Sequence, residues 1–155
     1  MRIIIELLKN YPLVAALLSM LTGQAFKIAY YFIIDKKFDL AHIFESGGMP
    51  SAHSAMATAL VTSVGISQGL SSAPFAVSFA FACIVMYDAV GVRRATGYQS
   101  VILNRIIEDH YKSGRMSKEK LQEFMGHSPV EVLAGIILGI TIAFALYFGV
   151  YRVVA

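Results

Sequence analysis

Two short phrases each set a histidine at the mouth of an apolar segment. Gly47-Gly48-Met49-Pro50-Ser51-Ala52-His53-Ser54 precedes one, and Gly126-His127-Ser128-Pro129-Val130-Glu131 precedes another. A serine stands beside each histidine, in position to cap a helix. Helix N-termini carry unpaired N–H groups and the positive end of the helix dipole, so they attract anions. Two such ends, each with an imidazole, point to phosphate chemistry at a membrane surface.

His127 and Glu131 are four apart, so on a helix they face the same way. A carboxylate within reach of an imidazole fixes its tautomer and raises its basicity, which a nucleophilic histidine requires. Ser128-Pro129-Val130-Glu131 is also a capping-box pattern with proline at the first helical position, so Glu131 has a purely structural reading as well. Ser51 has the same alternative as a simple cap, and His53 that of an interfacial histidine. Ser51, Ser54, Thr58 and Thr62 form a small polar stripe suited to close helix packing.

Lys27 lies inside an apolar stretch, where a lysine is expensive and a functional candidate by default. Gln24 precedes it by one turn on the same face. At 1.5 Å per residue, Lys27 is about 10 Å from the end of its span, near enough to reach a site there. The competing reading is a lysine that snorkels to the interface. Tyr87-Asp88-Ala89-Val90-Gly91-Val92-Arg93-Arg94 closes a further apolar stretch. Paired arginines bind phosphate oxygens bidentately, and Asp88 is placed to orient one of them. Arginines at a helix end also serve as plain charge anchors.

Lys27, Ser51, His53, Arg93, Arg94, His127 and Glu131 together make a phosphoryl-transfer set that needs no metal or other cofactor. The cations hold phosphate oxygens, one histidine attacks, and the other protonates the leaving oxygen. Zinc is the competing use of two histidines. It needs further ligands, and only Glu131 is an obvious third.

The elements that must position these residues are membrane helices. The chain has 155 residues, 57% hydrophobic and 15% charged, with a mean hydropathy of +0.64. That is too apolar for an ordinary soluble domain and enough for a single domain, residues 1–155. Apolar stretches run near 11–34, 51–70, 73–90 and 130–151, the third being the shortest. About 20 residues suffice to cross the hydrocarbon core as helix. The fold class expected is an all-α integral membrane bundle of about four transmembrane helices, with short interfacial helices in the 91–129 loop. The apolar character of the first stretch continues through Ile33-Ile34, which reads as an uncleaved span rather than a signal peptide. The lone Cys83 forms no disulfide framework and reads as a small buried hydrophobe. A pI near 9.0 fits basic loops, and no nucleic-acid recognition motif is present.

Four spans put both termini on one side and the segments 35–50 and 91–129 on the other. The loop side holds Lys36, Lys37, Arg93, Arg94, Arg105, Lys112, Arg115, Lys118 and Lys120, and the terminal side only Arg2, Lys9 and Arg152. The positive-inside rule makes both loops cytoplasmic and both termini external. Both histidine phrases then share one face, as one site demands. Residues 98–112 alternate Val101, Ile102, Ile106 and Ile107 with Asn104, Arg105, Glu108 and Asp109, an amphipathic pattern for the interface. Ser117 precedes a second short helix over 118–124. Both segments read equally well as a solvated connector. Gly135 and Gly139 form a GxxxG face, for packing within the bundle or in a homo-oligomer.

Met49-Pro50-Ser51-Ala52-His53, Tyr87 to Arg94, and Gly126 to Val132 resemble the divergent branch of the type-2 phosphatidic acid phosphatase family, relatives of the vanadium-dependent haloperoxidases. The resemblance implies a helical membrane protein, in a bacterial plasma membrane, that hydrolyses lipid phosphate esters or diphosphates without metal. The main family carries Lys-x6-Arg-Pro, Pro-Ser-Gly-His and Ser-Arg-x5-His-x3-Asp. Lys27 matches the first lysine, with Ile34-Asp35 where Arg-Pro would stand. Pro50-Ser51-Ala52-His53 matches the second motif with alanine for glycine, implying His53 as general acid and Ser51 as phosphate ligand. His127 and Glu131 match the end of the third, implying a nucleophile and its orienting partner. That motif's arginine has no match at the usual spacing, and Arg93 or Arg94 is the substitute.

The leading expectation is therefore a lipid phosphate phosphatase at the cytoplasmic face. A non-catalytic protein that binds anionic headgroups or a protein partner at the same pocket is the alternative. A small transporter subunit, with Lys27 on its pathway, is a third.

Overall fold

A computed structural model describes residues 2–35, 48–112 and 126–152. Among these residues six α-helices follow in order: α1 (Arg2–Lys9), α2 (Tyr11–Asp35), α3 (Ala52–Gln68), α4 (Ala73–Val90), α5 (Val92–Lys112) and α6 (Pro129–Leu146), the last continuing into a π-helical turn, Tyr147–Tyr151. This is the expected all-α membrane bundle. Three stretches, Tyr11–Tyr30, Ala73–Asp109 and Pro129–Tyr151, are long and apolar enough to cross a bilayer.

The shortest of the four bundle helices is α3, with 17 residues, rather than α4. Two local signals trim it. Ser51 stays outside as the N-cap, its hydroxyl accepting from Ser54 N–H. Gly69 then ends the helix at φ 83°, a conformation that glycine adopts without penalty. Its composition also differs from that of its neighbours. It is the central helix, packed most extensively on α6 and α2 and then on α4. Small and polar side chains, among them Ser54, Ala55, Thr58, Ala59 and Ser63, replace the large apolar ones that face lipid elsewhere.

Missing side chains make the close packing possible. A Cβ on Gly135 would come within 2.5 Å of the Ser51 carbonyl oxygen and 2.9 Å of Ser54 Cβ. One on Gly139 would collide with the Ala55 carbonyl oxygen and reach 2.9 Å from Ala59 N. The GxxxG face thus packs α6 onto α3, inside the bundle. On α2, Tyr11, Ala15, Ser19, Gly23 and Lys27 recur every four residues and are all buried. A Cβ on Gly23 would lie 3.1 Å from Ala52 Cα, so α2 meets α3 at its first turn.

Outward-facing side chains are large and apolar, as the bilayer demands: Phe26, Ile33, Phe79, Ile84 and Ile137 are all more than half exposed. Cys83 belongs to this set. It is exposed on α4, where lipid rather than protein supplies its apolar surroundings, contrary to the buried position expected. The bundle end far from the histidines is closed by tyrosines. Tyr11 Oη donates to the Ala143 carbonyl at 2.8 Å, and its ring lies 5.9 Å from Tyr147 and 4.9 Å from Tyr151.

The amphipathic helix expected over 98–112 is present and longer. It is α5, which starts at Val92, directly after Gly91 ends α4. The second loop helix expected, over 118–124, lies outside the described residues.

Candidate functional site

Backbone hydrogen bonds assemble the site before any side chain is considered. Ser51 N–H donates to the Glu131 carbonyl at 3.0 Å, joining the starts of α3 and α6. His127 N–H donates to the Ala89 carbonyl at 3.1 Å, so the segment leading into α6 docks on the last turn of α4. A Cβ on Gly126 would collide with the backbone of Arg93 and Arg94. Only glycine allows that approach, and it draws His127 to the junction of α4 and α5.

His127 is 7% exposed. Its Nδ1 lies 2.9 Å from Glu131 Oε2. The same oxygen accepts from Ser128 N–H at 3.3 Å, while Ser128 Oγ accepts from Glu131 N–H at 3.3 Å. The capping box and the histidine contact therefore coexist on one side chain. With Nδ1–H donated to the carboxylate, the tautomer so assigned leaves a lone pair on Nε2.

His53 occupies the first turn of α3 and is exposed. Arg93, His127, Lys27 and Asp88 all lie within electrostatic range of its ring. The residues singled out in four separate stretches of sequence thus converge on one place. Lys27, 4% exposed, comes to it from the buried stripe of α2. Gln24 stands one turn earlier on that helix, half-buried. Since α2 continues from Gly23 to Asp35, the first turn of α3 sits roughly 18 Å short of its end, measured along α2.

The two arginines separate. Arg93 Nε donates to Asp88 Oδ2 at 2.6 Å, an ion pair half open to solvent. Arg94 turns to Tyr98 instead: its Nη2 lies 3.4 Å from the Tyr98 hydroxyl, and its guanidinium 5.9 Å from the ring centre. Ser51 is fully buried, and its oxygen accepts from Ser54 N–H at 3.3 Å and Ser54 Oγ at 3.0 Å. Among the described residues, no three His, Cys, Asp or Glu side chains are grouped to hold a metal ion.

Sequence reasoning missed Ala89 and Gly126, which act through the backbone. The placement of Gly126 immediately before a candidate histidine was the available signal, since glycine there permits close backbone approach. Ser54, whose hydroxyl supports Ser51, stands out in the sequence only as part of a packing stripe.

The family model described as the divergent PAP2 family matches residues 8–142. A curated relative, the "Uncharacterized membrane protein YuiD" of Bacillus subtilis (strain 168), is 40% identical over 154 residues, covering 92% of this chain and 98% of that protein. No solved structure matches the chain significantly.

Proposed function

The chain belongs to the divergent PAP2 family, and on that footing we propose that it is a metal-independent lipid phosphate phosphatase that works through a phosphohistidine on His127. The observation that carries this reading is the 2.9 Å contact of His127 Nδ1 with Glu131 Oε2 on a buried ring, beside His53, Lys27 and Arg93. The carboxylate orients the imidazole and stabilises the positive charge it acquires on attack.

Lys27 and Arg93 bind the phosphate oxygens, helped by the N–H groups at the start of α3. His127 Nε2 attacks phosphorus while the bond to the lipid oxygen breaks. Protonated His53 gives its proton to that oxygen, and the lipid alcohol leaves. Water then attacks the phosphohistidine and loses a proton to the now neutral His53. The N–P bond breaks, inorganic phosphate departs, and both histidines return to their starting states. Asp88 holds Arg93 in place, Ser51 donates its hydroxyl proton to a phosphate oxygen, and Gln24 supports Lys27. Arg94 stays with Tyr98 and takes no part. The excess of Lys and Arg in the loops supports a cytoplasmic face for this site, with both termini outside.

The direct test is to trap the intermediate. Brief exposure to a lipid phosphate with a labelled phosphoryl group, followed by quenching in base, should leave an acid-labile label on His127. His127→Ala should carry none. Label on a serine or a carboxylate, or turnover with no adduct in any quench, would contradict the mechanism.

A further inference from the structure

The first apolar stretch in the sequence begins near residue 11, and the structure places a separate helix, α1, before it. Asn10 divides them: its side-chain oxygen accepts from Leu13 N–H at 3.1 Å and its carbonyl from Val14 N–H at 3.0 Å, so it begins a new helix. Pro12 follows in the first turn, where its missing N–H does no harm. The eight residues of α1 bury no side chain against the bundle. Ile3, Ile4, Ile5, Leu7 and Leu8 are between 46% and 76% exposed.

Charge and apolar character are sorted around this helix. Arg2, Glu6 and Lys9 recur at intervals of four and three, so they share one narrow stripe. Lys9 Nζ and Glu6 Oε1 pair at 3.9 Å along it. The rest of the circumference is isoleucine and leucine. The position of α1 is equally informative. It joins α2 at Tyr11, where the Tyr11–Tyr147–Tyr151 rings gather at the end of the apolar spans, as aromatic side chains do at a headgroup boundary. Tyr151 Oη also donates to the Leu8 carbonyl at 2.6 Å, which fixes α1 to the end of the π-helical turn.

We infer that α1 is an in-plane anchor whose isoleucine and leucine face lies in the lipid leaflet opposite the histidine site, with Arg2, Glu6 and Lys9 turned to the headgroups. A helix with this sorting sinks its apolar face about 5–10 Å into the headgroup and acyl boundary. The occupant of the exposed face is lipid, because α1 joins α2 at the tyrosine-lined end of the apolar spans and carries its charges on a stripe separate from its isoleucines and leucines. This inference is independent of the phosphatase reading.

Single-cysteine proteins on a Cys83→Ser background test it. Ile4→Cys and Glu6→Cys would each carry a fluorophore, in full-length protein reconstituted into permeable phosphatidylcholine–phosphatidylglycerol vesicles. The Ile4→Cys label should be quenched by lipids brominated in the acyl chain and be several-fold less sensitive to aqueous iodide than the Glu6→Cys label. Leu7→Cys and Lys9→Cys repeat the comparison should either first variant fold poorly. Equal iodide quenching of the two labels, without an effect of brominated chains, would put α1 in water and overturn the inference. Strong quenching of both by brominated chains would bury the whole helix in hydrocarbon and overturn it as well.

Discussion

Ser51 N–H donates to the backbone carbonyl of Glu131 at 3.0 Å, so the two histidine-bearing helix starts are hydrogen-bonded to each other. Glu131 joins the site twice. Its carbonyl holds the start of α3, and its carboxylate holds His127. A movement of the first turn of α6 therefore shifts the entry to α3 and the proposed nucleophile together.

The two roles of the Glu131 side chain can be separated. Glutamine serves a capping box as well as glutamate does, but it carries no charge to stabilise an imidazolium. Glu131→Gln should unfold within about 0.5 kcal/mol of the parent and lose about 10²–10⁴-fold in kcat. Ser128→Ala should do the reverse. It should cost about 1 kcal/mol of stability while keeping most of the turnover. Unfolding midpoints in detergent, measured beside phosphate release, check the pair.

The α3–α6 seam rests on glycines that have no room for a methyl group. Gly135→Ala and Gly139→Ala should each destabilise the bundle by about 1–3 kcal/mol, since the Ser51 and Ala55 carbonyls must move. Gly135→Ala should also depress activity, because Ser51 shifts with it. Gly149 has nothing within 4 Å of its would-be Cβ. Gly149→Ala should then leave stability unchanged or raise it by up to about 1 kcal/mol. Thermal unfolding of the three purified variants decides this.

The neighbouring arginines should prove unequal. Arg93→Ala should lower kcat/KM about 10²–10³-fold, as loss of a donor to developing phosphate charge does. Arg94→Ala, whose guanidinium is engaged with Tyr98, should change it by no more than about twofold. Asp88→Asn should fall between them, because Arg93 loses the ion pair that holds it but keeps its charge. Steady-state kinetics of the three variants provide the ranking.

Much of this was legible in the sequence because membrane helices are local objects. Apolar length marked three spans but overrated the 51–70 stretch, whose helix α3 has only 17 residues; Ser51 and Ser128 marked two helix starts, and the spacing of His127 and Glu131 implied their contact. Convergence was harder to read, because it depends on contacts between distant segments. The choice between Arg93 and Arg94 turned on a bond to Asp88 and an aromatic ring at Tyr98. The docking of His127 on Ala89 runs through a carbonyl, which carries no residue identity to recognise. The helix α1 was not legible as a span, because its eight residues are too few to cross a bilayer. Cys83 was misjudged because burial in protein and burial in lipid look alike in composition.

Lys27 is buried on the α2 stripe within electrostatic range of His53. Lys27→Met keeps the length of the side chain and removes its charge. It should reduce kcat/KM by about 10–100-fold, the effect of losing a charge-assisted hydrogen bond. The bundle should still fold, since methionine suits an apolar helix face. Kinetics and a melting curve on the same preparation separate loss of binding from loss of fold.

The most direct test of the central claim is phosphate release by the purified protein across a panel of lipid phosphates, with a metal chelator present and His127→Ala alongside. Histidine chemistry predicts turnover that survives the chelator and vanishes in the variant. If folded protein hydrolyses no lipid in the panel, or if His127→Ala turns over as fast as the parent, the phosphohistidine account is wrong. In the first case Lys27, His53, Arg93 and His127 would form a site for holding anionic headgroups, and in the second the nucleophile would be another group.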